Sequence, residues 1–209
     1  MIYDLHVHSK YSHDSVLEPK TILKIAKKRE MDGVAVTDHN TIKGGLETLK
    51  LNKDKDFQVI VGAEIRTEYG DIVGLFLDDD IANRRFEDTI EEIKKQGGLS
   101  VLAHPFRRHQ PSEKMLNQVD LVEAFNARSQ EYCNAGALAL SKKHNLSIVG
   151  GSDAHLSFEI GRGKTIVYND LNDIRSSLIK GYTVAEGIES NYRLVHGLSF
   201  AIEYIKRFL

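Results

Sequence analysis

One cysteine, three prolines and no tryptophan occur among the 209 residues. A lone cysteine, Cys133, excludes an internal disulfide and a thiolate zinc cluster. No apolar run approaches the roughly 18 residues a membrane span needs, so no bilayer partner is expected. Net charge is nearly absent as well, with 28 basic residues against 30 acidic ones. That balance argues against bulk adhesion to nucleic acid or anionic lipid, while leaving room for a local basic patch. The opening MIYDLHVHSKY is acidic and histidine-bearing rather than basic and then apolar, so a cytosolic protein is expected. What is present is a chain 41% hydrophobic and 28% charged, a composition suited to a globular core. Nine histidines stand out in it. Any bound metal must be held by imidazole and carboxylate.

Short apolar runs alternate with helical periodicity. Strands are expected at Ile2–Val7, 34–37, 58–65, 98–103, 121–125, Ser147–Gly151 and 165–168. Residues 66–77 read as a hairpin turning at Gly70, and 105–118 as a polar, basic loop. Pro19 opens a helix through Ile22, Leu23 and Ala26 that Gly33 ends, and Asn40 is placed to cap the next. Further helices carry Phe86, Ile90 and Ile93; Ala135, Leu138 and Ala139 up to Asn145; and Leu171, Ile174 and Leu178 up to Gly181. The last, 190–209, is amphipathic through Leu198, Ile202, Ile205 and Leu209, and is expected to close the fold or pair with a second subunit. Such alternation means βαβ units, a mostly parallel sheet and one α/β domain over 1–209. Periodicity does not choose between a barrel and an open sheet.

In parallel α/β domains the reactive groups collect at the carboxyl ends of strands. Here those ends carry His6 and His8, then Asp38 and His39, then Glu64, His104, Glu123 with Asn126, and finally Asp153 with His155. Residues two apart on a strand point to one side, so His6 and His8 can reach a single ion, as can Asp153 and His155. Taken singly, each is a common surface or hydrogen-bonded side chain. Gathered at several strand ends, they point to a metal centre, since buried charge without a partner is costly.

The stretches DLHVHSKYS, TDHNT, GAEI, AHP and GGSDAH resemble, in order, the motifs of the polymerase and histidinol phosphatase (PHP) superfamily. The resemblance runs from Asp4 to about Gly161. It implies a distorted, TIM-like (β/α)7 barrel with two or three divalent ions, of zinc, manganese or iron, at its mouth. By motif, His6, His8, Glu64 and Asp153 would hold one ion, and Glu64 would bridge to a second held by His104. The third would take His39, His155 and the residue after YS, where both His13 and Asp14 stand; the YSxDS form points to Asp14. Two positions depart from the pattern. Asp71 stands where some relatives carry a histidine, and NARSQEYC offers Glu131 or Cys133 where others carry another. Both fall on the second ion. Cys133 reads as a helix-start core residue, and His109, His144 and His196 as surface residues.

Such a site suits hydrolysis of a phosphate ester of a small metabolite or nucleotide by a metal-activated hydroxide. Glu64 and Asp153 would act as catalytic ligands, and Asp38 would orient an imidazole or shuttle a proton. Arg107, Arg128 and Asn126 are the foremost candidates for holding substrate, ahead of Arg66, Arg108 and Arg162. Other readings stand beside this one: an exonuclease on short oligonucleotides, a non-catalytic metal-binding module, or amide or lactone hydrolysis. The first lacks a long basic track with stacking aromatics. The last lacks an evident strand-end lysine for a bridging carbamate. Substrate and oligomeric state are not legible in the chain.

Overall fold

Alternation along each strand decides what faces inward, and the same parity recurs around the sheet in the computed structural model, which describes residues 1–107, 110–168 and 173–208. The strands are β1 (Ile2–Val7), β2 (Gly33–His39), β3 (Gln58–Thr67), β4 (Gly70–Leu75), β5 (Leu99–Leu102), β6 (Leu121–Asn126), β7 (Ser147–Gly151), β8 (Gly163–Val167) and β9 (Thr183–Gly187). They form one sheet in the order β7-β6-β5-β4-β3-β2-β1-β8-β9. Ala35, Ile60, Val73, Leu75, Leu99, Val101, Leu121 and Val149 share the interior cluster with Tyr3 and Leu5. Continuing the same parity reaches His39 on β2, Glu64 on β3, Asp71 on β4, Glu123 on β6 and Asp153 just past β7.

Helices cover the outer face. Helix α1 (Pro19–Lys28) takes Pro at its first position and buries Ile22, Leu23 and Ala26 against Val34, Val36 and Val59. Helix α2 spans Lys43–Leu51, and α3 (Phe86–Lys95) packs Phe86, Ile90 and Ile93 on β3 to β5. A short α4 (Glu113–Leu116) interrupts the stretch expected to be loop. Helices α5 (Glu131–His144), α6 (Ile174–Ile179) and α7 (Tyr192–Lys206) complete the chain. Left-handed Asn145 ends α5, as its position suggests.

The ends of the sheet nearly meet. The His6 carbonyl accepts from Asp153 N at 2.8 Å, and His8 N donates to the Ala154 carbonyl at 2.9 Å, joining β1 to the chain beyond β7. Thr165 of β8 bonds both backbone groups of Gly150 at 2.8 Å. The result is a nearly closed α/β barrel.

Several expectations need correcting. The sheet is less parallel than the alternation implies: β1–β2, β2–β3, β5–β6 and β6–β7 pair parallel, but β3–β4, β4–β5, β1–β8 and β8–β9 pair antiparallel. Strand β9 escapes the pattern because its one buried residue, Thr183, is polar and the other four are partly or fully exposed. Asn40 does not cap α2; it is left-handed, and the Asp80 carboxylate accepts from Ile42 N at 2.7 Å instead. On α5 the buried face carries Cys133, Asn134, Ala137 and Ser141, not Leu138 and Ala139. Arg108, His109, Leu171 and Leu209 lie outside the described residues. No helix among the described residues is long and apolar enough to cross a membrane.

Helix α7 folds back across the barrel mouth, and a buried ion pair holds it there. Arg128 Nε donates to Glu159 Oε1 at 2.8 Å, and its Nη2 donates to the Val195 carbonyl at 3.0 Å and Ser199 Oγ at 2.8 Å. Glu159, wholly buried, also accepts from the backbone of His155 and Leu156. Removing one member of such a pair strands the other charge. Glu159→Ala should lower unfolding free energy by about 3–5 kcal/mol in a urea titration, whereas Glu91→Ala on the exposed face of α3 should change it by less than about 0.5 kcal/mol.

Candidate metal centre

Bulges set the first ligands. Register shifts in β1 between Asp4 and Val7, after which Val7 packs beside α1 and His6 and His8 turn to the mouth. There, His6 Nε2 and His8 Nε2 stand 3.1 Å apart. His8 Nε2 lies 3.3 Å from Glu64 Oε2 and 3.2 Å from Asp153 Oδ1. His6 Nε2 is 3.6 Å and 3.8 Å from the same two oxygens. All four residues are buried.

The far side of each ring explains this aim. His6 Nδ1 donates to Glu123 Oε1 at 2.9 Å. His8 Nδ1 donates to Ser12 Oγ at 3.0 Å, and the Ser12 hydroxyl donates in turn to Asp38 Oδ1. With both Nδ1 atoms committed, both Nε2 lone pairs face each other and two carboxylate oxygens, which is untenable without something positive between them. The side chains alone relieve it with a proton. Burial disfavours charge on His6, but Glu123, Asp153 and Glu64 together outweigh it and hold its pKa well above 6.5. Burial, then His155 and His39, push that of His8 down to about 3. A divalent cation can replace that proton and satisfy four donors at once.

Two further groups adjoin the first. Glu64 Oε1 lies 2.8 Å from His104 Nε2, and Asp71 Oδ2 lies 3.9 Å from the same nitrogen. Asp14 Oδ2 lies 2.9 Å from His155 Nε2 and 3.5 Å from His39 Nε2, while His39 Nδ1 reaches Glu64 Oε2 at 3.1 Å. His155 Nδ1 donates to the Asp153 carbonyl, which leaves its Nε2 lone pair facing Asp14. The other Asp14 oxygen, Oδ1, is buried with no hydrogen-bond partner among the described residues. An unpartnered carboxylate oxygen beside imidazole lone pairs suits a cation. His104 and Asp153 adopt φ of 29° and 56°, sparsely populated for residues other than glycine, so backbone strain accompanies the ligand positions.

The eight ligands expected by motif (His6, His8, Asp14, His39, Glu64, His104, Asp153 and His155) thus come together, with Asp71 beside them. His13 is exposed on the rim, its ring 4.8 Å from that of His39. Glu131 is exposed at the start of α5, and Cys133 is buried with Sγ 3.3 Å from the Phe106 carbonyl; neither joins a ligand group.

The substrate candidates separate. Arg107 donates to Asp153 Oδ2 at 2.8 Å and to Asn126 Oδ1, at the edge of a cavity of about 450 Å³. Arg128 borders that cavity, but its guanidinium is taken up by Glu159 and α7. Asn126 is fully buried, and its amide donates to Glu123 and Asp153, so it fixes the loop. Arg162 Nη2 is held by the Glu189 carbonyl. Asp38 touches Ser9 and Ser12 rather than the His39 ring. His196, expected on the surface, lines the cavity with Tyr192, Ser199, Phe200 and Glu203 because α7 lies over the mouth.

The sequence places Glu123 at a strand end without assigning it a role, and parity with Leu121 turns it inward. Gly151 shows how little room remains there: a Cβ would lie 2.4 Å from His6 Cβ and 2.8 Å from Glu123 Oε1. Orienting carboxylates of this kind tune metal affinity. Glu123→Gln should weaken cation binding about 10–100-fold in a manganese titration while leaving the fold intact by circular dichroism.

Comparison with known proteins agrees with this geometry. The family model for the PHP domain matches residues 4–156, and a PHP-associated model matches residues 131–183. An uncharacterized protein of Methanocaldococcus jannaschii is 48% identical over 141 residues, covering 59% of this chain and 81% of its own. A second from the same organism is 34% identical over 184 residues, covering 82% and 72%. Among solved structures, a Bacteroides vulgatus two-domain protein, described as containing a predicted PHP-like metal-dependent phosphoesterase, superposes with a TM-score of 0.76. It is 20% identical, and the match covers 96% of this chain and 69% of that one.

Proposed function

The chain belongs to the PHP domain family, and from that premise we infer that it hydrolyses phosphate esters of small molecules with the help of two or three divalent cations. The observation that carries this reading is the convergence of His6, His8, Glu64 and Asp153 with their lone pairs turned inward. His104 and Asp71 extend the site around Glu64, and we take Asp14, His39 and His155 as its third group on the contacts of Asp14 with both rings, with His13 near enough to share an ion with Asp14 and His39. Imidazole with carboxylate suits zinc, manganese or iron. Cations bound there supply positive charge for phosphoryl oxygens and bring the pKa of water toward neutrality.

The residues around the ligands divide the remaining tasks. Arg107 presents its guanidinium at the cavity edge beside the ligands, where a phosphoryl group can compete for the donors now given to Asp153, Asn126 and Ser129, whereas Arg128 is locked in its ion pair with Glu159 under α7. Glu64 and Asp153 hold the cluster together. Asp38 acts from behind Ser12, fixing the tautomer of His8 rather than meeting the substrate. The wall that α7 builds opposite the ligands favours a small phosphorylated compound over an oligonucleotide.

Manganese-loaded protein should release phosphate from at least one of a panel of sugar phosphates, nucleoside monophosphates and bisphosphates, with dinucleotides included for comparison. Glu64→Gln should reduce that turnover by about 100-fold or more. Activity confined to dinucleotides would support an exonuclease instead. Absence of turnover on the whole panel, with metal bound by elemental analysis, would leave a non-catalytic module.

A further inference from the structure

The last turn of α7 reaches a loop that belongs to the other end of the chain. Lys206 Nζ donates to the carbonyls of Lys10 at 2.7 Å, Ser12 at 2.6 Å and Ser15 at 2.9 Å. These are three hydrogen bonds, the full donor capacity of an ammonium group, all given to one stretch of irregular backbone. That stretch connects β1 to α1 and carries His13 and Asp14. Its own backbone bonds are few: Ser12 N to the Ser9 carbonyl and Lys10 N to the Leu17 carbonyl brace its ends. Ser15 Oγ ties it to the carbonyls of His8 and His155. Between those ties, Lys206 gathers the carbonyls on one side of the loop while the Asp14 carboxylate points to the other, toward His155 and His39.

We propose that Lys206 is a positioning residue for the cation site of Asp14, His39 and His155, setting the loop geometry that aims Asp14. This rests on the reading of those three side chains as ligands. Without the ammonium, three carbonyls must turn to water and the loop gains freedom, so the Asp14 carboxylate must be ordered at the moment of binding. The His6–His8–Glu64–Asp153 group depends on the loop only through Ser12, whose side chain Asp38 also holds, while His6 is held by Glu123 on β6. Helix α7 lies beyond both matched segments, 4–156 and 131–183, so the positioning device comes from outside the family-matched part of the chain.

The test is a titration of metal-free full chain with Mn²⁺, following free ion by electron paramagnetic resonance. Lys206→Met should weaken one ion about 10–100-fold and change the binding of the others less. Lys206→Arg should recover part of the loss. Ile205→Ala, exposed one residue away, should bind as the parent does. A Lys206→Met isotherm identical to the parent's overturns the proposal. Asp14→Asn separates the two ideas. If it removes an ion that Lys206→Met retains, only the role of Lys206 falls; if it changes nothing, the reading of the third group falls. Should Lys206→Met fail to fold by circular dichroism, Lys206→Gln is read by the same two outcomes.

Discussion

Imidazole and carboxylate lone pairs repel when they are turned on one another at about 3 Å in a buried site, and much of this fold is arranged to keep them so. Glu123 holds His6 from behind, Ser12 and Asp38 hold His8, and the Asp153 carbonyl holds His155. Asp4, buried beneath them, accepts from Ser152 N and Gly161 N and so ties β1 to the loop beyond β7. Asp4 is wholly buried, and that burial pushes its pKa up to about 6. The cluster is therefore pre-organised at an electrostatic cost that a cation offsets.

The barrel mouth is finished by parts that do not carry ligands. Arg128 and Glu159 pin the middle of α7, and Lys206 pins its last turn, so the helix lies between the ligands and solvent. Its inward side presents His196, Ser199 and Glu203 to the cavity, with Phe200 at the cavity rim and 71% exposed. Its apolar stripe through Leu198 and Ile205 thus faces outward, the reverse of the usual amphipathic docking. Specific polar contacts, not hydrophobic burial, decide which face of α7 meets the barrel.

Most of the strands and helices were legible because apolar runs bounded by glycine, proline and asparagine have few other solutions. The ligands were legible at strand ends for the same reason, and the order of motifs assigned them. Asp71 was legible only by analogy, while inward parity on β4 gives the physical reason it lies beside His104. Strand β9, the Asp80 cap on α2 and the turn of His196 into the cavity were not legible. Each depends on a partner distant in sequence that no local pattern names.

By itself the sequence determined an α/β chain with histidines and acids gathered at the carboxyl ends of its strands, because a period of two and strand-end placement are local properties. Only the tertiary structure decided which nitrogen of each ring faces the cluster, that Arg128 is taken up by Glu159 and α7 while Arg107 lies beside Asp153, and that α7 lies across the mouth. Ser12 and the Asp153 carbonyl turn His8 and His155 from nearby, but the other outcomes rest on hydrogen bonds between residues distant in sequence, such as Lys206 with the Lys10–Ser15 backbone. One cysteine leaves no thiolate cluster, and in the folded chain imidazole and carboxylate gather at the mouth instead.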